Sequence, residues 1–211
     1  MADLEKLRDA VLRGDVKTAV AVTKESIAEH ADPLAMVTQF MIPAMEEVGR
    51  KFECQEYFVP ELLLSARAMK GSLELLRPLL AAQGAPSAGK VLIGTVKGDL
   101  HDIGKNLVAS MLEGAGFDVV DLGSDVSPQK FIAGIQERNP NIVALSALLT
   151  TTMPQMQTII DELQKAGVRT QVKVIVGGAP VTQQFADRIG ADGYSDNANG
   201  AVTLARRLLA G

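Results

Sequence analysis

The stretch Gly94-Thr-Val-Lys-Gly-Asp-Leu-His-Asp-Ile-Gly-Lys-Asn106 determines how the second half of the chain is interpreted. It follows an apolar run at residues 91–94 and precedes a segment with helical spacing of apolar residues, so it predicts strand, loop and helix. A loop that leaves a parallel strand faces the crevice where open α/β sheets bind ligands. His101 lies in this loop and is the first candidate functional residue.

The same alternation of strand and helix continues from residue 90 onward. Apolar runs predict strands at residues 91–94, 117–121, 142–146, 174–176 and 192–194. Helical spacing predicts helices at residues 103–114, 128–138, 153–166, 181–189 and 197–209. Short strands separated by helices predict a parallel sheet covered on both faces, and the common strand order for five strands is 2-1-3-4-5.

Residues 3–84 instead show helical spacing throughout and predict four antiparallel helices in a bundle. Gly14 predicts the end of the first helix, and Asp15 is the predicted N-cap of the second. Asp32 is the predicted N-cap of the third helix, and Pro33 suits its first turn. The third helix is expected to run toward Phe52 and to bend at Pro43.

The predicted fold class is α/β, with an N-terminal helical bundle cap followed by a flavodoxin-like (Rossmann-like), doubly wound five-stranded parallel sheet. The composition changes to small and turn-forming residues between these parts. The predicted domains are a cap at 1–84, a linker at 85–89 and a sheet domain at 90–211.

The composition excludes several classes of protein. The chain has 211 residues, 47% of them apolar and 22% charged, with a net charge of −4, which gives no reason to expect a nucleic-acid partner. The sequence lacks a secretion signal and an apolar run of roughly 20 residues, so we expect a cytoplasmic protein without membrane contact. The single cysteine excludes an internal disulfide and a multi-cysteine metal site.

Three loops at the predicted carboxyl edge of the sheet carry the remaining candidates. Asp99 could hold one ring nitrogen of His101 while the other binds a metal, although a solvated histidine beside an aspartate is the commoner situation. The loop after the third strand carries the hydroxyls of Ser146, Thr150 and Thr152, which could bond a ligand or cap the next helix. Gly177-Gly178 could admit a ligand or simply form a turn.

In combination, Asp99-x-His101-x-x-Gly104, Ser146-x-Leu148 and Gly177-Gly178 resemble the three-part signature of cobalamin-binding domains of the methionine synthase and corrinoid-protein type. Residues 52–70 are similar to the helical cap that precedes this domain in the family. The resemblance covers nearly all of the chain and is closest in layout to stand-alone corrinoid proteins of methanol, methylamine or methoxyarene metabolism.

The resemblance implies cobalamin as the cofactor, as methylcobalamin or as a Co(I) corrinoid, with its dimethylbenzimidazole displaced. It implies that His101 is the lower axial ligand of cobalt, that Asp99 bonds its other ring nitrogen and that Thr152 extends this relay. The further residues implied to contact the cofactor lie in the same loops and in the cap: Asp102, Ile103, Gly104, Ser146, Leu148, Thr150, Gly177, Gly178, Phe52, Val59 and Leu62.

The function implied is that of a methyl carrier, a non-autonomous subunit of a multi-component methyltransferase system. One partner, a substrate-specific methyltransferase, would load the methyl group from methanol, a methylamine, a betaine or a methoxyarene. A second partner, a methylcorrinoid:acceptor methyltransferase, would pass it to tetrahydrofolate or coenzyme M, and a reductive reactivase would restore the cofactor. The alternatives are a cobalamin-binding sensor and a flavodoxin-like domain without cobalamin.

Overall fold

The structure, a computed structural model, describes residues 3–83 and 88–210. Their contacts form two compact units: the helical unit, residues 3–83 with residues 113–116, and the sheet unit, residues 88–112 and 117–210. Residues 84–87, which carry most of the predicted linker, lie outside the described residues, so the predicted domain limits stay predictions.

The helical unit contains helices separated by short connections. Its elements are α1 (Leu4–Leu12), α2 (Val16–Ala28), α3 (Pro33–Ala35), a π-helical segment (Met36–Met41), α4 (Ile42–Glu53) and α5 (Val59–Ala82). No helix in the described part of the chain has both the length and the apolar run needed to span a membrane.

Two helices begin where the capping residues predict. The carboxylate of Asp15 accepts the backbone N–H of Thr18 at 3.0 Å, and that of Asp32 accepts the N–H of Leu34 at 3.1 Å. The first turn of a helix has N–H groups without intrahelical partners, and an acidic cap satisfies one of them. Both capping predictions are confirmed.

The third predicted helix is not one regular α-helix. It begins as α3, passes through a π-helical segment and continues as α4, near whose start Pro43 lies. Ile42 donates its N–H to the carbonyl of Val37, five residues back. Proline cannot donate to the preceding turn, and a wider turn just before it accommodates the missing bond. The predicted helix therefore changes its helical type just ahead of Pro43, and the expected bend at this residue stays a prediction.

The sheet unit has the predicted composition of five strands and five α-helices in its described residues. Its strands are β1 (Lys90–Thr95), β2 (Asp118–Asp121), β3 (Ile142–Ser146), β4 (Lys173–Gly177) and β5 (Gly193–Tyr194). Its helices are α6 (Ile103–Gly114), α7 (Pro128–Arg138), α8 (Pro154–Lys165), α9 (Gln183–Arg188) and α10 (Ala198–Ala210). A short 3₁₀ turn at Arg169–Gln171 was not predicted.

All strand pairs are parallel, and their order is β2-β1-β3-β4-β5, which confirms the predicted fold class and strand order. The register places Thr95, Ser146 and Gly177 side by side, at the carboxyl ends of β1, β3 and β4. The loops that follow these three residues therefore leave the sheet at neighbouring points of one edge.

Burial on both sides of the sheet explains the apolar runs in β1 and β3. Ile142–Leu145 of β3 are all buried, as are Val91–Ile93 of β1. At about 25 cal/mol per Å² of apolar surface removed from water, this burial is the main stabilisation of the sheet unit. It leaves the strand ends rigid enough to hold loop residues in defined positions.

We expect Ser72→Ala to stabilise the protein and Ser65→Ala to destabilise it relative to that variant. Both side chains are buried in α5, but Ser65 Oγ donates to the carbonyl of Leu12 at 3.1 Å, whereas Ser72 Oγ has no partner among the described residues. A buried hydroxyl without a partner costs about 1–3 kcal/mol. The higher helix propensity of alanine is common to both variants, so the difference between them isolates the hydrogen bond.

Urea unfolding followed by circular dichroism measures the effect. The urea midpoint should rise for S72A, with an increase of about 1 kcal/mol in the free energy of unfolding. It should fall for S65A. Equal destabilisation by the two substitutions would contradict the difference in hydrogen bonding.

Candidate functional site

The centre of the candidate site is the carboxylate of Asp99, whose side chain is fully buried in the loop after β1. Its Oδ2 accepts the hydroxyl of Thr152 at 2.7 Å and the backbone N–H of Leu148 at 2.8 Å. Its Oδ1 accepts the backbone N–H of His101 at 3.1 Å and lies 2.8 Å from Nδ1 of the same residue. One carboxylate thus joins the loop after β1 to the loop after β3.

These hydrogen bonds determine the charge of Asp99. Burial alone raises the pKa of a carboxyl, but the bonds from Thr152, Leu148 and His101 outweigh it and hold the pKa of Asp99 well below its ordinary value of 3.8. For a carboxyl with a lowered pKa, the stabilisation is complete above the ordinary value and is lost only as the pH falls through the lower folded value. Asp99 is therefore an ionised acceptor throughout the neutral and mildly acidic range.

The ionised carboxylate fixes the orientation and tautomer of the His101 ring. Since a carboxylate can only accept a hydrogen bond, Nδ1 must be the protonated nitrogen that donates to it. In the neutral ring Nε2 then carries a lone pair, and it has no hydrogen-bond partner among the described residues. The side chain is 51% exposed, so this nitrogen is available to a ligand.

The backbone of the histidine is also held. Thr95, at the end of β1, donates its hydroxyl to the carbonyl of His101 at 2.9 Å. The ring is thus positioned through both its side chain and its main chain, which is the arrangement expected of a metal-binding histidine.

Four large apolar side chains are exposed in the two loops that Asp99 joins. Their exposed fractions are 75% for Leu100, 83% for Ile103, 43% for Leu148 and 42% for Leu149. Exposed apolar side chains grouped around a polar centre are typical of a ligand site. The sequence predicts Ile103 and Leu148 as site residues but misses Leu100 and Leu149, whose only signal is that they adjoin predicted ones.

The Gly177-Gly178 turn packs directly against the exit of β3. Gly178 has φ of 133°, and a Cβ there would lie 1.9 Å from the carbonyl oxygen of Ala147, so no side chain fits. Gly177 accepts the N–H of Ala147 at 3.2 Å. At this turn glycine is required by the contact between the two strand exits. Gly104 differs, because a Cβ added there would meet no atom within 4 Å.

The other predicted site residues occupy two regions. In the sheet unit, Asp102 and Thr150 are exposed, and Ser146 is half-buried with no hydrogen bond from its hydroxyl to a described residue. In the helical unit, Phe52 is half-buried, Val59 is 40% exposed and Leu62 is fully buried. Their contact with a cofactor stays a prediction.

One exposed aromatic residue of the helical unit is not among the predicted site residues. Phe58, the residue before α5, is 62% exposed. Its backbone N–H is accepted by the carboxylate of Glu61 at 3.0 Å, which fixes the start of the helix. An exposed aromatic ring on a capped, ordered turn is a candidate for ligand or partner contact.

Comparison with known proteins now identifies the family. The B12 binding domain family matches residues 89–203, more than half of the chain. The chain belongs to this family. A second B12 binding domain family matches residues 3–77, in the helical unit.

Similar proteins are known over the full length of the chain. The trimethylamine corrinoid protein of Methanosarcina barkeri is 44% identical over 208 residues, which cover 98% of this chain and 96% of the relative. A cobalamin-binding protein from Desulfitobacterium hafniense DCB-2 has a similar crystal structure, with 33% identity, a TM-score of 0.80 and coverage of 99% of each chain.

A third similarity is to a protein in an assembly. A chain of the methanol:cobalamin methyltransferase complex MtaBC from Methanosarcina barkeri is 29% identical, with a TM-score of 0.87 and coverage of 99% of this chain and 80% of that one.

The residues present suit a B12 cofactor. His101 offers one unpartnered ring nitrogen, which suits a metal that brings its other ligands in a macrocycle. The exposed apolar side chains of Leu100, Ile103 and Leu148 suit a large, mainly apolar ring. The hydroxyl of Ser146 and the open space at Gly104 suit the passage of a polar substituent along the sheet edge.

We expect Asp99→Asn to move the proton of the His101 ring. Oδ2 accepts the two shorter bonds, from Thr152 and Leu148, so we expect the amide oxygen at this position. The amide NH₂ then faces Nδ1, at the cost of the 3.1 Å bond that Oδ1 accepts from the His101 N–H. Nδ1 would then accept and Nε2 would carry the proton. Long-range ¹H–¹⁵N NMR of the cofactor-free protein distinguishes the two tautomers.

The matched control is Asp102→Asn, because Asp102 adjoins His101 and its carboxylate bonds no described residue. Its His101 ring should keep the proton on Nδ1. Loss of the charged hydrogen bonds in D99N should also lower the unfolding free energy by about 2 kcal/mol. An Nδ1 proton retained in D99N would contradict the assignment.

Proposed function

We propose that this protein carries a methyl group on the cobalt of bound cobalamin. A substrate-specific methyltransferase would supply the group, and a methylcorrinoid:acceptor methyltransferase would transfer it to tetrahydrofolate or coenzyme M. The observation that best supports this proposal is the half-exposed His101 ring. Its Nδ1 is held by buried Asp99, and its Nε2 has no partner among the described residues. When bound, cobalamin supplies a cobalt centre that accepts a methyl group and releases it.

His101 is proposed to hold cobalt from its lower side through Nε2, in place of the cofactor's dimethylbenzimidazole. Asp99 and Thr152 support this role because they form a hydrogen-bonded chain behind the ring, with distances of 2.8 and 2.7 Å. A carboxylate behind a metal-bound histidine fixes the ring and strengthens its basicity. Ionised Asp99 would stabilise positive charge on the ring.

The displaced tail of the cofactor is proposed to run along the edge formed by the exits of β3 and β4. The free hydroxyl of Ser146, at the end of β3, can donate to the tail. Gly104 lies in the first turn of α6, and a Cβ there would meet no atom within 4 Å. Gly177-Gly178 keeps the exit of β4 close to the carbonyl of Ala147, so no side chain intrudes. Asp102, Ile103, Leu148 and Thr150 are proposed to border the ring and its side chains.

Phe52, Val59 and Leu62 of the helical unit are proposed to contact the bound cofactor and to shield its reactive centre. A reactive centre needs water and oxidants excluded between transfers, and apolar residues such as Phe52 and Val59 suit that task. Leu62 is fully buried, whereas Phe58 is exposed and is a further candidate for contact with the cofactor. This shielding would have to be released for each transfer partner.

The carrier role, rather than that of an autonomous enzyme, is supported by the relatives. The curated relative quoted above is named for trimethylamine, and a structural relative forms part of a methanol:cobalamin methyltransferase complex. We propose that the present protein works with such methyltransferases in the cytoplasm and that a reductive reactivase restores its cofactor. No observation on this chain favours the sensor alternative.

The ligand assignment predicts nitrogen coupling from one histidine in the Co(II) form of the loaded protein. We expect electron paramagnetic resonance to show coupling that changes when histidine is labelled with ¹⁵N and that disappears in His101→Ala. The chain contains only one other histidine, His30, whose φ of 60° makes asparagine the suitable replacement. His30→Asn should keep the coupling. Coupling that persists in H101A would rule out the assignment.

The carrier role predicts that methylation depends on a partner. We expect the reduced, cobalamin-loaded protein to show no change in visible spectrum with methanol, trimethylamine, betaine or a methoxyarene alone. A purified substrate-specific methyltransferase should produce the change with its own substrate, at a rate at least about a hundredfold higher. Rapid and selective methylation without a partner would instead indicate a self-contained enzyme.

A further inference from the structure

The loop between β2 and α7, residues 122–127, lies beside the loop that carries His101. Val96 and Val126 form an isolated parallel bridge between the two loops. Beyond this bridge, Asp125 makes two hydrogen bonds to the histidine loop. Its Oδ1 accepts the N–H of Gly98 at 2.7 Å, and its own N–H donates to the carbonyl of Asp99 at 3.0 Å.

The backbone of Asp125 has an uncommon conformation that makes both bonds possible. Its φ is 54°, in the left-handed region that aspartate, asparagine and glycine adopt more readily than other residues. Gly98 also has positive φ, 81°. Aspartate and glycine are thus the residue types that suit these two positions. The two hydrogen bonds of Asp125 hold the N–H of Gly98 and the carbonyl of Asp99, on either side of the peptide that joins these residues.

A second connection holds the far end of the same loop. Lys105, in the first turns of α6, is buried, and its Nζ donates to the carboxylate of Asp121 at the end of β2 and to the side chain of Asn106. A buried ammonium group is stable only when it is paired and hydrogen-bonded. The residues that flank the end of β2 thus hold the histidine loop at both ends, near Gly98 and at Lys105.

We propose that Asp125 is a positioning residue for the coordination of cobalt by His101, an inference that rests on the proposed function. Among the described residues, no hydrogen bond joins Asp125 to His101. Asp125 sets the main chain of Asp99, the Asp99 carboxylate sets the ring, and the ring presents Nε2 to the metal. A histidine that is to bind a metal needs such support, because small displacements weaken a metal–ligand bond.

Two substitutions at the same position separate the hydrogen bond from the backbone conformation. Asp125→Gly keeps the left-handed φ and removes the acceptor, whereas Asp125→Asn keeps both φ and an acceptor oxygen. In the Co(II) form of loaded D125G, we expect the ratio of histidine-bound to histidine-free cobalt to fall about tenfold. The D125N ratio should stay within about twofold of wild type.

The control is Glu137→Ala, which removes an exposed carboxylate from α7 in the same unit. Its ratio should equal that of wild type. Amide hydrogen exchange of Gly98 in the cofactor-free protein gives a second measure, which should be about tenfold faster in D125G and unchanged in D125N. Thermal unfolding of each variant establishes that the compared proteins are folded.

Unchanged coordination in folded D125G would overturn the inference, as would an equal loss in D125G and D125N, since the latter keeps the acceptor. Unchanged exchange of the Gly98 amide in D125G would overturn it without any cofactor present. Failure of the proposed function has a different signature, because wild-type protein would then lack histidine coupling while the exchange result could still be obtained.

Discussion

A buried negative charge organises the candidate site. Removing an isolated carboxylate from water costs several kcal/mol, and the cost is offset only when donors surround it. Asp99 receives such donors from Thr152, Leu148 and His101, which belong to two separate loops. The loops must therefore take up one joint arrangement, and the ring of His101 is oriented as a result.

This requirement explains why the site needs the whole sheet unit. The donors to Asp99 come from residues 49 and 53 positions further along the chain, and parallel pairing of β1 with β3 brings them within reach. Pairing of β3 with β4 then places the glycine turn against Ala147. Apolar strands buried on both faces make the edge rigid, and the polar chemistry is confined to the loops that leave it.

The protein and its cofactor would contribute different chemical groups to the site. The chain supplies a positioned imidazole, an ionised carboxylate and an apolar border. The B12 cofactor that its family binds would supply the reactive metal. A protein that presents one ligand and little other catalytic machinery is suited to carry a group between partners. The similar proteins are named for trimethylamine and for a methanol:cobalamin methyltransferase complex.

Local patterns in the sequence predict most elements of the sheet unit and the strand order, whereas the contact of the predicted site residues with a cofactor stays a prediction. Helices at Ile103–Gly114 and Pro128–Arg138 have the predicted bounds, because caps, glycines and apolar spacing are local signals. Three features could be seen only in the folded chain. Pro43 follows a π-helical segment, Leu62 is buried and Leu100 is exposed. The tertiary structure alone showed Asp125 against the Gly98 amide, 27 positions earlier. Exposure and hydrogen bonds between distant loops depend on how the chain packs, which no local pattern encodes.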